Sequence, residues 1–353
     1  MKVALLGLYG DFNSNAGAGI QRYMFELYKN LKTINDANFN VEKTEITKLP
    51  IIGTGFSFSF KTFFLNLNKF DIVHHLMPIV SYSRPKIFRN NILITTAQDF
   101  HFYPKLHPEF NLMHNTPLKR KFWIKLIVIP AYKNILLSDY LIANSLQTKQ
   151  EAIELGFKKN KIFTVNLGID SRYFKEQGNK KISKIFKVGY VGRIDIYKNL
   201  SFAINSMNLI KNDNIKFEIW GNKNAAYDSL KNIAKNKNIA FKGFAPENKI
   251  VELYDSFDAF VHPSLFEGFG LPIIEAQARG LPVIIYKNGK ISKEVRKYCF
   301  EAESPEHMAR IIEDFKENGY NEKLRKRATE YARTFTWERC ARETLNIYRK
   351  MLK

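Results

Sequence analysis

Two carboxylates stand with seven residues between them in HPSLFEGFGLPIIEAQARGLPVIIY, residues 262–286: Glu267 just ahead of a glycine-containing loop and Glu275 just after it. Gly268 and Gly270 permit close backbone approach, Pro272 suits the first turn of a helix, and Gly280 ends that helix. A helix opening from such a loop points unpaired N–H groups and the positive end of its dipole at whatever lies in front, which makes an anion site without any lysine. Phosphate is the natural guest, and the flanking glutamates can accept hydrogen bonds from sugar hydroxyls. Upstream, VGYVGRIDIYKNL (residues 188–200) places Arg193 and Lys198 just after an apolar run that reads as a strand. That places both cations at the carboxyl edge of the strand, the side on which α/β sheets bind ligands. Either glutamate alone, or Lys198 alone in a lysine-rich chain, reads better as a solvated surface residue; the composite segment points to a site.

The run of PS, Glu267, GFGLP and Glu275 resembles the signature of family-4 retaining glycosyltransferases, part of the glycosyl transferases group 1, which have the two-domain GT-B fold. The resemblance implies that Glu275 holds the ribose of a nucleotide-sugar donor and that Glu267 contacts the transferred sugar. It also implies that the backbone at Gly268, Phe269, Gly270 and Leu271 meets sugar and phosphate. Arg193 and Lys198 match the family's diphosphate-binding pair, with Gly192 and Asn199 also in place. In AGIQRY (residues 18–23) only Gly19 carries over to the family's glycine entry to the first helix, because Ala18 stands at the other glycine position. The loop at Gly243 and Phe244 is a candidate for contacts with the base. Weaker matches, ANS, VNLGID, WGN, FKGF and FTWE, extend the resemblance along nearly the whole chain in family order.

One element departs from the pattern. TTAQDFHFY (residues 95–103) has Gln98 and Asp99 where the family commonly has His-Asp after a strand. Gln98 donates and accepts hydrogen bonds but takes no proton at neutral pH. His101 can substitute if the loop turns, and Asp99 is the nearby carboxylate able to orient an acceptor hydroxyl; the three are acceptor-side candidates. Between residues 287 and 295, NGKISKEV retains Glu294 but not the family's proline.

The elements that must position these residues follow from periodicity. KVALLGL reads as a buried strand, a small-residue loop follows, and IQRYMFELYKNLK puts Ile20, Met24, Leu27 and Leu31 on one helical face. Further strands are expected at residues 71–76, 91–97 and 139–145, the last entering a helix that stops at Gly156. A polar stretch at residues 171–184 is the best linker candidate, after which the rhythm restarts with IFKVGYVGR (residues 185–193) and strands recur at 216–221, 239–244, 258–264 and 281–286. Strands alternating with helices argue for parallel sheets. The expectation is α/β, two Rossmann-like domains facing across a cleft: residues 1–175 with a C-terminal helix, 338–353, crossing back to them, and residues 185–335 binding the nucleotide-sugar.

Length and composition agree: 353 residues, 45% hydrophobic, exceed what one core usually fills. Cys299 and Cys340 make no metal or redox spacing. The apolar start is short for a signal peptide and no run reaches the ~18 residues of a membrane span, so a cytoplasmic protein, soluble or peripheral on the inner face of the cell membrane, is expected. The net charge is +21, and residues 84–133 alone carry nine Lys or Arg against two Asp or Glu. Within them PLKRKFWIKLIVIPAY (residues 117–132) interleaves basic and apolar residues: as a helix it carries Phe122, Leu126 and Ile129 along one side, with Pro130 expected to kink or end it. That pattern fits a core helix with a wet lysine face, or docking on an anionic membrane surface. No nucleic-acid module accompanies it, so nucleic acid is not expected as a partner.

The resulting functional expectation is transfer of a hexose of mannose or glucose type from a UDP- or GDP-linked donor to a glycan or lipid-linked acceptor, with the retention that the family implies. No cofactor is called for, and no Asp-x-Asp pair is present to hold a divalent ion. Rival readings are a nucleotide-sugar epimerase, against which the Glu267–Glu275 signature argues, and a glycan phosphorylase, for which a pyridoxal-binding lysine context is missing. A non-catalytic nucleotide-sugar-binding protein is a third, favoured if Gln98 marks a decayed site.

Overall fold

The structure, a computed structural model, describes residues 1–8, 19–46, 67–78, 89–100, 103, 106, 122, 125–126, 129–175, 184–224 and 226–353. The chain divides into two units, Met1–Gly168 with Trp337–Lys353, and Ile169–Thr336.

In the first unit, β1 (Lys2–Leu8), β2 (Asn40–Ile46), β3 (Ile72–His75), β4 (Ile92–Ala97), β5 (Tyr140–Ala143) and β6 (Ile162–Thr164) form a six-stranded sheet in the order β2-β1-β3-β4-β5-β6, every pairing parallel. Val3, Ala4, Leu5 and Leu6 are wholly buried, as a central parallel strand covered on both faces requires. The helix α1 (Gly19–Thr33) buries Tyr23, Met24, Leu27 and Leu31, spacings that share one face. Two shorter helices follow, α2 (Ile129–Asn134) and α3 (Leu146–Glu154); the Oγ of Ser145 caps α3 by accepting from the Thr148 N–H at 3.0 Å.

The last helix, α11 (Trp337–Met351), belongs to this unit and packs on α1, with Trp337, Cys340, Ala341, Thr344, Leu345 and Tyr348 buried along one stripe. A buried polar chain secures it: His74 Nδ1 lies 2.5 Å from the Tyr348 hydroxyl and His74 Nε2 lies 2.7 Å from Thr96 Oγ1, which meets the Tyr23 hydroxyl at 2.9 Å.

In the second unit, β7 (Phe186–Val191), β8 (Ile215–Trp220), β9 (Ile239–Gly243), β10 (Ala259–His262), β11 (Val283–Tyr286) and β12 (Phe300–Ala302) form a parallel sheet in the order β12-β11-β10-β7-β8-β9. The unit's first and fourth strands are thus neighbours, and the order reverses between them. That is the topological switch point, where open α/β sheets hold ligands outside the carboxyl ends of their strands. Helices α4 (Leu200–Leu209), α5 (Tyr227–Ile233), α6 (Ile250–Asp255), α7 (Leu271–Ala278), α8 (Lys293–Arg296), α9 (Pro305–Asn318) and α10 (Glu322–Ala332) complete the unit.

Both sheets agree with the α/β expectation, but three strands are unheralded. β2, NVEKTEI, is an edge strand whose charged residues break the apolar signal, and β6 and β12 are three-residue edge strands. Pro130 stands in the first turn of α2, where a proline costs no hydrogen bond, and most of the helix expected before it lies outside the described residues. In the stretch read as a linker, Tyr173 is wholly buried and its carbonyl accepts from Arg279 Nη1 at 3.1 Å, so residues 171–175 are packed into the second unit. Residues 176–183 lie outside the described part.

Candidate active site at the switch point of the second unit

β7 ends at Val191, and its continuation carries both predicted cations. Gly192, at φ +155°, has no room for a side chain: a Cβ there would stand 2.9 Å from the Tyr190 hydroxyl. That hydroxyl donates to the Arg193 carbonyl at 2.8 Å, supporting the turn from beneath. Arg193 is exposed, and its Nη2 donates to the Tyr197 hydroxyl at 2.6 Å. A short helical turn, Ile196–Lys198, is capped by Asp195 Oδ1, which accepts from the Ile196 N–H at 2.8 Å. Asn199 then takes the left-handed conformation, φ 52°, and the chain enters α4. This sharp reversal turns Lys198 inward, where it is buried.

The loop after β10 meets this turn directly. The Leu265 N–H donates to the Tyr197 carbonyl at 2.9 Å, and Asn199 Nδ2 donates to the Pro263 carbonyl at 3.2 Å. From the other side the Lys290 N–H donates to the Leu265 carbonyl at 2.8 Å and the Glu267 N–H to the Lys290 carbonyl at 3.0 Å. Glu267 is therefore held by backbone on both sides, and its Oε1 accepts from Lys198 Nζ at 2.5 Å and from His262 Nε2 at 2.6 Å. Burial works against the carboxylate, yet the Lys198 ammonium, and then His262, hold Glu267 far below the ordinary carboxyl range. Burial likewise opposes the Lys198 charge, but the Glu267 carboxylate keeps its pKa above the usual lysine value. Burial lowers that of His262, so its ring is neutral.

Gly270, at φ +101°, is the residue before α7, and Pro272 stands in that helix's first turn. The N-terminus of α7 thus opens beside Glu267, with Gly268 half-buried, Phe269 and Gly270 buried, and Leu271 half-buried along it. Glu275 lies deeper on α7, 5% exposed, and accepts from the buried Tyr254 hydroxyl at 2.9 Å. At the ends of β8 and β9, the Gly221 N–H donates to the Gly243 carbonyl at 2.7 Å; Gly243 has φ +81° and the Phe244 side chain after it is 63% exposed. The second unit therefore gathers a cation pair, two buried carboxylates, a helix N-terminus and an exposed aromatic ring at one sheet edge. Such a set fits an anionic, hydroxyl-bearing ligand.

The acceptor-side candidates belong to the first unit. Gln98 follows β4 and is 5% exposed. Its Oε1 accepts from Asn144 Nδ2 at 3.1 Å, and Asn144 Oδ1 in turn accepts from the Thr148 hydroxyl at 2.9 Å. These bonds orient the Gln98 amide and leave its Nε2 buried without a partner among the described residues. Asp99 is half-buried, with the Tyr132 hydroxyl 3.5 Å from its Oδ1. Gly19 is exposed at the start of α1; His101 and the loop before Gly19 lie outside the described residues. So does most of residues 117–132, of which Phe122, Lys125 and Leu126 are described and exposed. Among the described residues no cluster of three or more His, Cys, Asp or Glu is placed to hold a metal ion.

Sequence reasoning missed His262 and Tyr254. His262 opens the most informative motif, five residues before Glu267, and a histidine closing a strand at the switch point was the available signal. Tyr254 lies on α6, and nothing in its local pattern ties it to Glu275.

Residues 171–335 match the family model described as glycosyl transferases group 1. The chain is 31% identical over 114 residues to O-antigen chain mannosyltransferase B of Escherichia coli, a match covering 31% of this chain and 30% of that enzyme. Of two further curated relatives the chain spans 61% and 44%. Among solved structures it resembles a sucrose-phosphate synthase from Thermosynechococcus elongatus, with TM-score 0.77, 18% identity and 99% of both chains covered. It also resembles Anabaena HepE in complex with UDP and glucose, with TM-score 0.71, 16% identity, and 99% of this chain and 100% of that one covered. These likenesses establish the fold: two Rossmann-like units of the GT-B kind.

Proposed function

From the membership of residues 171–335 in the glycosyl transferases group 1, we propose that the protein is a retaining hexosyltransferase that uses a nucleotide diphosphate sugar. The observation that carries this reading is the Lys198–Glu267 contact joining the loops after β7 and β10, beside the N-terminus of α7. The donor's diphosphate lies against that N-terminus with Arg193 and Lys198. Glu275 accepts from the ribose, Glu267 from a hydroxyl of the sugar, and the Gly243–Phe244 loop meets the base. As the sugar–phosphate bond breaks, the negative charge left on the terminal phosphate is stabilised by cations already in place, so no bound metal is required. The acceptor hydroxyl attacks from the face that the phosphate leaves and gives its proton to the departing phosphate, and Gln98 and Asp99 serve the acceptor.

The mannosyltransferase relative and the glucose and UDP named in the HepE structure support a mannose- or glucose-type donor linked to UDP or GDP. A glycan or lipid-linked acceptor at an anionic membrane surface is supported by the exposed Phe122, Leu126, Leu136 and Leu137 beside the exposed Lys125 and Lys133.

Calorimetric titration with UDP-glucose and GDP-mannose tests the donor site. One of them is expected to bind the wild-type protein, and Glu275→Gln to weaken it at least tenfold, about 1.4 kcal/mol. Equal affinity in the variant removes the ribose assignment, and wild-type protein that binds neither removes the donor reading.

A further inference from the structure

We propose that His262 is a positioning residue for sugar transfer: it anchors one oxygen of Glu267 so that the other is presented to a hydroxyl of the transferred sugar. This deepens the donor reading above and rests on it.

Both side-chain donors that reach Glu267 converge on a single atom. Lys198 Nζ and His262 Nε2 stand 2.5 and 2.6 Å from Oε1. Oε2 takes no hydrogen bond from the described residues. A carboxylate held at one oxygen by two donors has lost its rotational freedom and offers the second oxygen, with its lone pairs, in a fixed direction. A sugar hydroxyl fits that vacancy because it donates a single hydrogen bond, and the carboxylate stays ionised to accept it.

The two anchors differ in what happens when a donor arrives. Lys198 is shared with the diphosphate, which competes for its ammonium. His262 has no such competitor: it is wholly buried at the end of β10, with its ring stacked at 17° on Tyr190 and at 14° on Phe260. Its protonation is set by geometry. Nδ1 is buried and has no partner among the described residues, so a proton there would be an orphaned donor, whereas a proton on Nε2 is satisfied by Glu267. The Nε2–H tautomer is therefore the one built in. While Lys198 turns to phosphate, that N–H keeps Glu267 in place.

The test separates positioning from folding by substitution chemistry. In His262→Gln the amide Nε2 occupies the place of the ring Nε2 and still donates; His262→Phe fills the same slot between the rings but cannot donate; His262→Asn is a second variant whose amide stops short of Glu267. Binding of UDP or GDP without a sugar, binding of UDP-glucose or GDP-mannose, and release of nucleoside diphosphate are measured for each protein. Phe and Asn variants are expected to bind the bare nucleotide as the wild type does and to lose tenfold or more in kcat, while Gln restores most of it. Wild-type kcat in His262→Phe or His262→Asn overturns the proposal. So does an equal fall in nucleotide binding, melting temperature and kcat across all three variants, which is the mark of a purely structural residue. A wild-type protein that binds no nucleotide overturns the donor reading and this proposal with it, whereas wild-type binding with an indifferent His262 overturns this proposal alone.

Discussion

Replacing Lys198 by methionine removes the cation 2.5 Å from Glu267 and leaves that carboxylate with His262 as its side-chain partner. Each side chain of the pair is only 10% exposed. Loss of one member of a buried pair costs about 3–5 kcal/mol, because the remaining charge is uncompensated. The carboxyl can escape that cost by taking up a proton. From its ordinary value of 4.5, protonation at pH 7 costs about 3.4 kcal/mol, at about 1.36 kcal/mol per pH unit, which caps this part of the loss. At pH 5 the same proton costs about 0.7 kcal/mol. In the wild type the pair holds Glu267 below its unfolded value, so its contribution is present above pH 4.5 and is lost only as pH falls through the lower folded value. Between pH 7 and 5 that contribution is constant. In the variant, burial raises the carboxyl, so the folded state gains from protonation as pH falls. The stability gap between the two proteins should therefore narrow between pH 7 and pH 5, by up to about 2.7 kcal/mol. Urea unfolding of both proteins at the two pH values, followed by far-UV circular dichroism and fitted with a transition for each unit, measures it. A gap that stays constant or widens refutes the buried-pair reasoning.

Burial lowers His74 and His75 from 6.5 to about 3, so the stability that they allow is fully present above pH 6.5 and is lost as pH falls toward the folded value. At pH 5.5 each costs the first unit about 1.4 kcal/mol, and His75→Phe should lose half of the pair's acid sensitivity in unfolding midpoint; an unchanged pH dependence contradicts this. At the exposed apolar surface, Phe122→Ser with Leu126→Ser should reduce co-sedimentation with phosphatidylglycerol vesicles at low salt, and a wild-type protein that does not pellet with them removes the membrane reading.

Much of this was legible in the residues because parallel strands buried on both faces write an uninterrupted apolar run: KVALLGL and LPVIIY each give their strand away. β2 was not, since an edge strand tolerates the charges of NVEKTEI, and β12 is too short to carry a period. The site followed the same division. Glu267, Gly270, Pro272 and Glu275 are local, and their spacing around a helix start is a statement about neighbours in the chain. The Lys198–Glu267 pair joins residues 69 apart in sequence, and only the switch-point topology brings them within reach. Tyr254 meets Glu275 by tertiary packing alone. Gln98 was visible as a departure from a pattern, but its orientation by Asn144 and Thr148 depends on the pairing of β4 with β5.

The central claim is a donor site that breaks a sugar–phosphate bond with retention. Proton NMR of UDP-glucose or GDP-mannose incubated with the protein reads both parts of it, even with water as the acceptor. Release of nucleoside diphosphate with the α-anomer of the sugar formed first, strongly slowed in Arg193→Ala and Lys198→Met, is the expected result. The β-anomer formed first, or turnover untouched by both substitutions, would contradict it.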